Sequence, residues 1–170
     1  MSEKIIEAIN GLDHLCVLLP ASPESVAEAE HSLGLQFAAD YKAYVQQFGA
    51  ISACGIELTG VTTSRRLNVV AATKRNRAMN GNIPPHMYVI EDIAIDGLLI
   101  LQDVTGSVYS APPHGVPRKV FDCLADYVTY SPGQIDPRLL RNDRVIDGDC
   151  AINSRCFPET GESYAASCKG

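Results

Sequence analysis

The spacing of apolar positions along the chain predicts a run of short elements. Ile5, Ile6 and Ile9 fall on one side of a first helix over residues 2 to 10, which Asn10-Gly11 stops. Ser22 stands as an N-cap with Pro23 at the first helical position, and Glu24 and Glu28 put negative charge near the positive helix end. Val26, Ala29 and Leu33 carry that helix on to Gly34, which supplies a left-handed stop. Phe37 leads into another helix over 39 to 48, where Tyr41, Tyr44, Val45 and Phe48 recur at i, i+3, i+4 and i+7, and Gly49 ends it. Residues 55 to 58 predict a short strand. Residues 67 to 79 predict a helix with Leu67, Val70 and Ala71 inward and Arg66, Thr73 and Arg77 sharing a face. Asn80-Gly81-Asn82 and Pro84-Pro85 break the chain.

Three strands follow, over 87 to 91, 98 to 102 and 107 to 110. Asp96-Gly97 and Thr105-Gly106 separate them, which predicts an antiparallel meander rather than crossover-linked parallel strands. Leu98-Leu99-Ile100-Leu101 is apolar on both faces and belongs at the centre of the sheet. A last helix over 119 to 130 carries Val120, Leu124, Tyr127 and Val128 on one stripe. Beyond Ser131 large apolar residues thin out and Gly, Ser, Asp and Asn accumulate. The expectation is therefore one α+β domain over 1-130, helices packed on an antiparallel sheet, with a loop-rich extension over 131-170 that is not an independent domain.

Composition adds bounds. A chain of 170 residues with 46% hydrophobic and 20% charged positions suits one globular domain. The longest apolar run, Leu15 to Leu19, is far too short to cross a membrane, and no secretory signal is visible at the N-terminus. A cytoplasmic protein with reduced thiols is expected. Among the six cysteines, Cys16, Cys54 and Cys123 lie in apolar sequence, where a free thiol behaves as a small hydrophobe. Cys150, Cys156 and Cys168 lack both the spacing of zinc knuckles and a nearby histidine.

The net charge of -6 is uneven. No acid occurs between Glu57 and Glu91, and that window holds Arg65, Arg66, Lys74, Arg75 and Arg77. A solvated helix face is the plain reading; a nucleic-acid contact is the alternative, disfavoured by the overall acidity. Candidate chemistry is sparse. Phosphate-binding glycine motifs, HExxH and GxSxG do not occur. His86 and His114 each follow Pro-Pro, which reads as turns rather than as a metal pair. Cys54 shows no partnering base, and the acid pairs Glu91-Asp92 and Asp147/Asp149 read as surface turns. No enzyme, no metal and no cofactor are expected.

One stretch is more specific. Ala29-Glu30-His31-Ser32-Leu33-Gly34-Leu35-Gln36-Phe37-Ala38-Ala39-Asp40-Tyr41-Lys42-Ala43-Tyr44, continuing to Phe48-Gly49-Ala50, resembles the opening signature of the SUKH superfamily of SMI1/KNR4-like domains. Ala38 stands where that family usually has proline. Asn68-Val69-Val70 with Thr73 and Arg77, then Tyr88-Val89-Ile90, Asp96-Gly97, Gly106-Ser107-Val108-Tyr109 and the helix from Asp122 to Tyr127, follow the family's order. The likeness covers about residues 20 to 130, and its YobK-like branch, associated with LXG-type toxins, is the nearest in pattern. It implies an immunity protein that neutralises a cognate polymorphic toxin domain, often a nuclease, through a protein-protein interface. A regulatory scaffold of the same fold is the alternative. Glu57, Glu91, Asp92, Asp96 and Asp103 are the candidate contacts, chosen from their position around the sheet, since acidic groups complement a basic partner.

Overall fold

Residues 2–53, 55–81, 83–93 and 97–130 are described by a computed structural model. Within them the elements run α1 (Ser2–Asn10), β1 (Cys16–Val17), α2 (Pro23–Leu33), α3 (Ala39–Phe48), β2 (Ile51–Ala53), β3 (Ile56–Leu58), α4 (Val69–Asn80), β4 (Met87–Asp92), β5 (Leu99–Asp103), β6 (Val108–Ala111), β7 (Arg118–Phe121) and α5 (Leu124–Tyr130). The fold is α+β, as expected. Cys54, Asp96 and the extension over 131-170 with its three cysteines lie outside the described residues.

The helices begin and end where local chemistry directs. The Ser22 hydroxyl accepts the Ser25 N–H at the start of α2. Gly34, at φ 66°, closes α2 with its N–H on the carbonyls of Glu30 and His31. Asn68 caps α4 through the Ala71 N–H. Glu30 then explains its place in the motif: its carboxylate takes the Phe37 N–H at 2.7 Å and the Lys42 ammonium at 2.8 Å, tying α2 to the entry of α3. Tyr41 and Tyr44 are fully buried and spend their hydroxyls on the Thr59 and Leu58 carbonyls, fastening α3 to the strand beneath. Burial pushes both phenols well above their ordinary range, so they remain neutral donors.

Among the described residues seven strands form two antiparallel sheets, β1-β2-β3 and β4-β5-β6-β7. The sequence suggested a single sheet; β1, β2 and β7 were not foreseen. Thr59 joins the sheets, its N–H on Ile90 O at 2.8 Å and its hydroxyl on Val89 O at 2.7 Å. Those carbonyls are turned toward Thr59 by a bulge between Val89 and Glu91, which leaves Ile90 outside the regular pairing with β5. β5 is buried on both faces. Leu98 and Ile100 enter the main core with α1, α2, α3 and α5, whereas Leu99 and Leu101 enter a second core with Ala72, Ile83, Met87 and Val89 under α4.

The single helix expected over 119 to 130 is corrected to a strand and a shorter helix. Lys119, Val120 and Phe121 lie in β7, which pairs with the open edge of β6. Only from Leu124 does the chain turn helical, its first N–H taken by the Asp40 carboxylate at 3.0 Å. Two glycines are sterically required. A Cβ on Gly49, at φ 70°, would lie 2.0 Å from the Leu19 carbonyl oxygen, and one on Gly60 would lie 1.7 Å from that of Gly49.

Candidate functional site

Two of the predicted acids and two residues of the predicted basic patch meet beside the β3 and β4 strands. Glu57 on β3, Asp92 at the end of β4, Arg66 from the loop before α4 and Arg75 on α4 line a small cleft of about 160 Å³, together with Thr59 and Leu67. The Arg66 guanidinium grips Glu57 with two bonds, 2.5 and 2.6 Å, and Arg75 faces Asp92 at 3.5 Å. Both pairs are substantially exposed, so each contributes at most about 1 kcal/mol to stability. Their consequence is electrostatic: the two acids and two of the basic residues largely cancel.

Behind this face sits Glu91, which is buried. One carboxylate oxygen accepts the Glu57 N–H at 2.9 Å and the other accepts the Tyr127 hydroxyl from α5. Burial raises its pKa, opposed by those two hydrogen bonds and reinforced by the charges of Glu57 and Asp92. Asp103 is buried as well, but at the opposite end of the β4-β5 pair, where it is opposite Met87. Burial alone would raise its pKa; donation from Thr105 and Tyr109, with the Thr105 and Ser107 N–H groups, outweighs that and holds the carboxyl below its ordinary value. The five acids therefore do not form one face. Glu57 and Asp92 are accessible and adjacent; Glu91 and Asp103 are turned inward because each satisfies backbone donors that the fold leaves open; Asp96 lies outside the described residues.

The basic window likewise divides. Arg77 donates to the carbonyls of Pro85 and Met87 and is lowered in pKa by burial; Lys74 reaches the Ser32 hydroxyl; Thr73 is buried and accepts the Val89 N–H. The shared face expected for Arg66, Thr73 and Arg77 is corrected: Arg66 precedes α4 and turns to Glu57. His86 and His114 are exposed, and among the described residues no group of three His, Cys, Asp or Glu side chains is placed to hold a metal ion.

Sequence reasoning missed a buried polar network. The Asp40 carboxylate takes the Gln102 side-chain amide and the Leu124 N–H; Gln102 accepts the Tyr88 hydroxyl, which in turn accepts the Ala38 N–H. Asp40 thus links α3, β5 and α5, and its placement between Ala39 and Tyr41 in the motif was the only sign. The network also accounts for the alanine: φ of Ala38 is -62°, which suits proline, yet here the N–H is used.

The Glu30, Leu33-Gly34, Phe37, Tyr41 and Phe48-Gly49 stretch is thus the joint between helices and sheets. The family described as SMI1-KNR4 cell-wall, SUKH_5, matches residues 2–129. The chain belongs to the SUKH superfamily. No curated protein matches it. In this SUKH domain the buried acids Asp40, Glu91 and Asp103 have both oxygens of each carboxylate occupied by donors of the fold. No helix among the described residues is long and apolar enough to cross a membrane. The surface carries a further feature that sequence reasoning passed over: the Leu15 to Leu19 run, read only as too short for a membrane span, puts Val17 on the outer strand and Leu19 just after it out to solvent, at 51% and 86% exposure.

Proposed function

We propose that this SUKH domain is an immunity protein that binds a cognate polymorphic toxin domain, a nuclease in the simplest case, and neutralises it in the cytoplasm through a protein-protein interface. The observation that carries the reading is the commitment of the buried carboxylates among the described residues, Asp40, Glu91 and Asp103, to the fold: they hold elements together, and what is offered to a partner is surface. Of the candidate contacts, Glu57 and Asp92 are the acids a partner reaches, by competing with Arg66 and Arg75 for them. Glu91 supports Glu57 from behind.

Affinity capture on the full chain from a lysate of its source, with mass spectrometry of the bound proteins, tests this. One toxin domain recovered in equal amount and stable to salt, whose toxicity co-expression of the chain suppresses, is the expected result. Recovery of housekeeping proteins alone would replace inhibition by the scaffold role.

A further inference from the structure

Part of the negative charge that no ion pair offsets among the described residues lies on α1. Glu57, Asp92, Glu30 and Asp122 each have a cation within ion-pair distance. Glu3 and Glu7 on α1 are exposed and make no ion pair among the described residues. They form one wall of an open groove of about 510 Å³ between α1 and α3, whose other wall is Gln46 and Gln47 and whose floor is Ile6 and Ala43, both half-buried. The two helices offer the same i, i+3, i+4 spacing: Glu3, Ile6, Glu7 on α1 and Ala43, Gln46, Gln47 on α3. An apolar floor between two packed helices, with long polar rims, is the seat of a third helix. Among the described residues the rim contains two carboxylates one turn apart and no cation; Lys4, also on α1, does not line it.

We propose that this groove receives an amphipathic helix of the partner protein, its apolar stripe on Ile6 and Ala43 and two Lys or Arg residues, spaced i, i+4, on Glu3 and Glu7. This rests on the partner-binding reading above and names the partner's docking element. A second copy of this chain fits poorly: each copy carries net charge -6, and the cationic helix α4 spends Arg75 and Arg77 internally.

The test uses the ¹⁵N-labelled full chain and a synthetic sixteen-residue helical peptide with a leucine stripe and lysines at i, i+4, beside a twin carrying glutamates instead. The lysine peptide is expected to shift the amides of Glu3, Ile6, Glu7, Ala43, Gln46 and Gln47 and to bind at least about tenfold more weakly to E3K/E7K. Q46K/Q47K adds two cations on the opposite wall, half the charge change of E3K/E7K with both carboxylates still in place, and should weaken binding less. Equal binding of the glutamate twin, shifts centred elsewhere, or a groove filled by self-association of the chain alone would overturn the proposal. A captured toxin domain retained equally by E3K/E7K would overturn it too while leaving the inhibitor reading standing. If the native chain captures no toxin domain, that reading fails and the peptide titration decides the groove alone.

Discussion

Two apolar runs of nearly equal hydrophobicity have opposite fates in this molecule. Leu98 to Leu101 leads into and forms most of β5, which has a strand on either side and a core on each face, and its members are at most 4% exposed. Leu15 to Leu19 contains β1, the outer strand of the other sheet; it pairs with β2 on one side only, and Leu19 is 86% exposed. The difference lies in the neighbours. A strand is buried on both faces when elements cover both faces of its sheet, whatever its own composition. β5 has the helices of the main core on one face and α4 on the other, while both residues of β1 are exposed among the described residues.

The largest expected effect breaks the inner run. Ile100→Asp places an unpaired carboxylate among Tyr88, Val108 and the helices and removes the isoleucine's packing, at a cost of about 5 kcal/mol or more. Circular dichroism on heating should show no cooperative transition, and a native-like melt would mean that β5 is not the centre of the domain. Next in size is Gly49→Ala. The new methyl meets the Leu19 carbonyl in a backbone conformation that already disfavours side chains, costing about 3 kcal/mol by urea denaturation. Its amide shifts should fall on Leu18 and Leu19, since Gly49 is what lets the outer run pass so closely. Unchanged stability would show that the crossing is looser.

Much of the inner architecture was legible because its determinants are local. The caps Ser22 and Gly34, the α3 stripe of Tyr41, Tyr44, Val45 and Phe48, and the turn pairs flanking β5 each declare themselves within a few residues. β1, β2 and β7 were not legible: each is fixed by pairing with a neighbour, and nothing within its own few residues declares it. β7 was mistaken for helix because Val120, Leu124, Tyr127 and Val128 happen to fall at helical spacing, although pairing with β6 decides Val120. The candidate acids were half legible. Position near strand ends identified Glu57 and Asp92, but nothing in the sequence distinguishes these from Glu91, whose partners come from Glu57 and, thirty-six residues away, Tyr127.

Titration sharpens the contrast at an intermediate scale. Glu91 lies on β4 beside the inner run, and its folded pKa is raised above the ordinary 4.5. Between those two values the folded state keeps the proton that the unfolded chain has lost, so this group's contribution to stability declines as pH rises through the window. Tyr127→Phe removes a donor that lowers the pKa, which should extend the decline and cost about 1–3 kcal/mol at pH 8 with much less lost at pH 4. Urea melts at both values check it; a loss independent of pH would mean that Glu91 does not titrate with the fold. Asp103, held low, runs the other way: its contribution is present above its ordinary value and is lost as pH falls toward the folded one.

The smallest expected effect decides whether exposure of the outer run is a property of the domain. Leu19→Asp introduces the same charge as the substitution at Ile100, but at a side chain that gives up little burial and needs no desolvation. Surface changes of this kind move stability by about 0.5 kcal/mol in either direction. The backbone interactions on either side of Leu19, Leu18 N–H on Ala50 O and Ala21 N–H on Val45 O, do not involve its side chain and should persist in amide exchange. A loss above about 2 kcal/mol would be the cost of exposing a core leucine, and would mean that something covers Leu19 in solution. The comparison between the runs would then concern which element covers each, rather than whether one is covered at all.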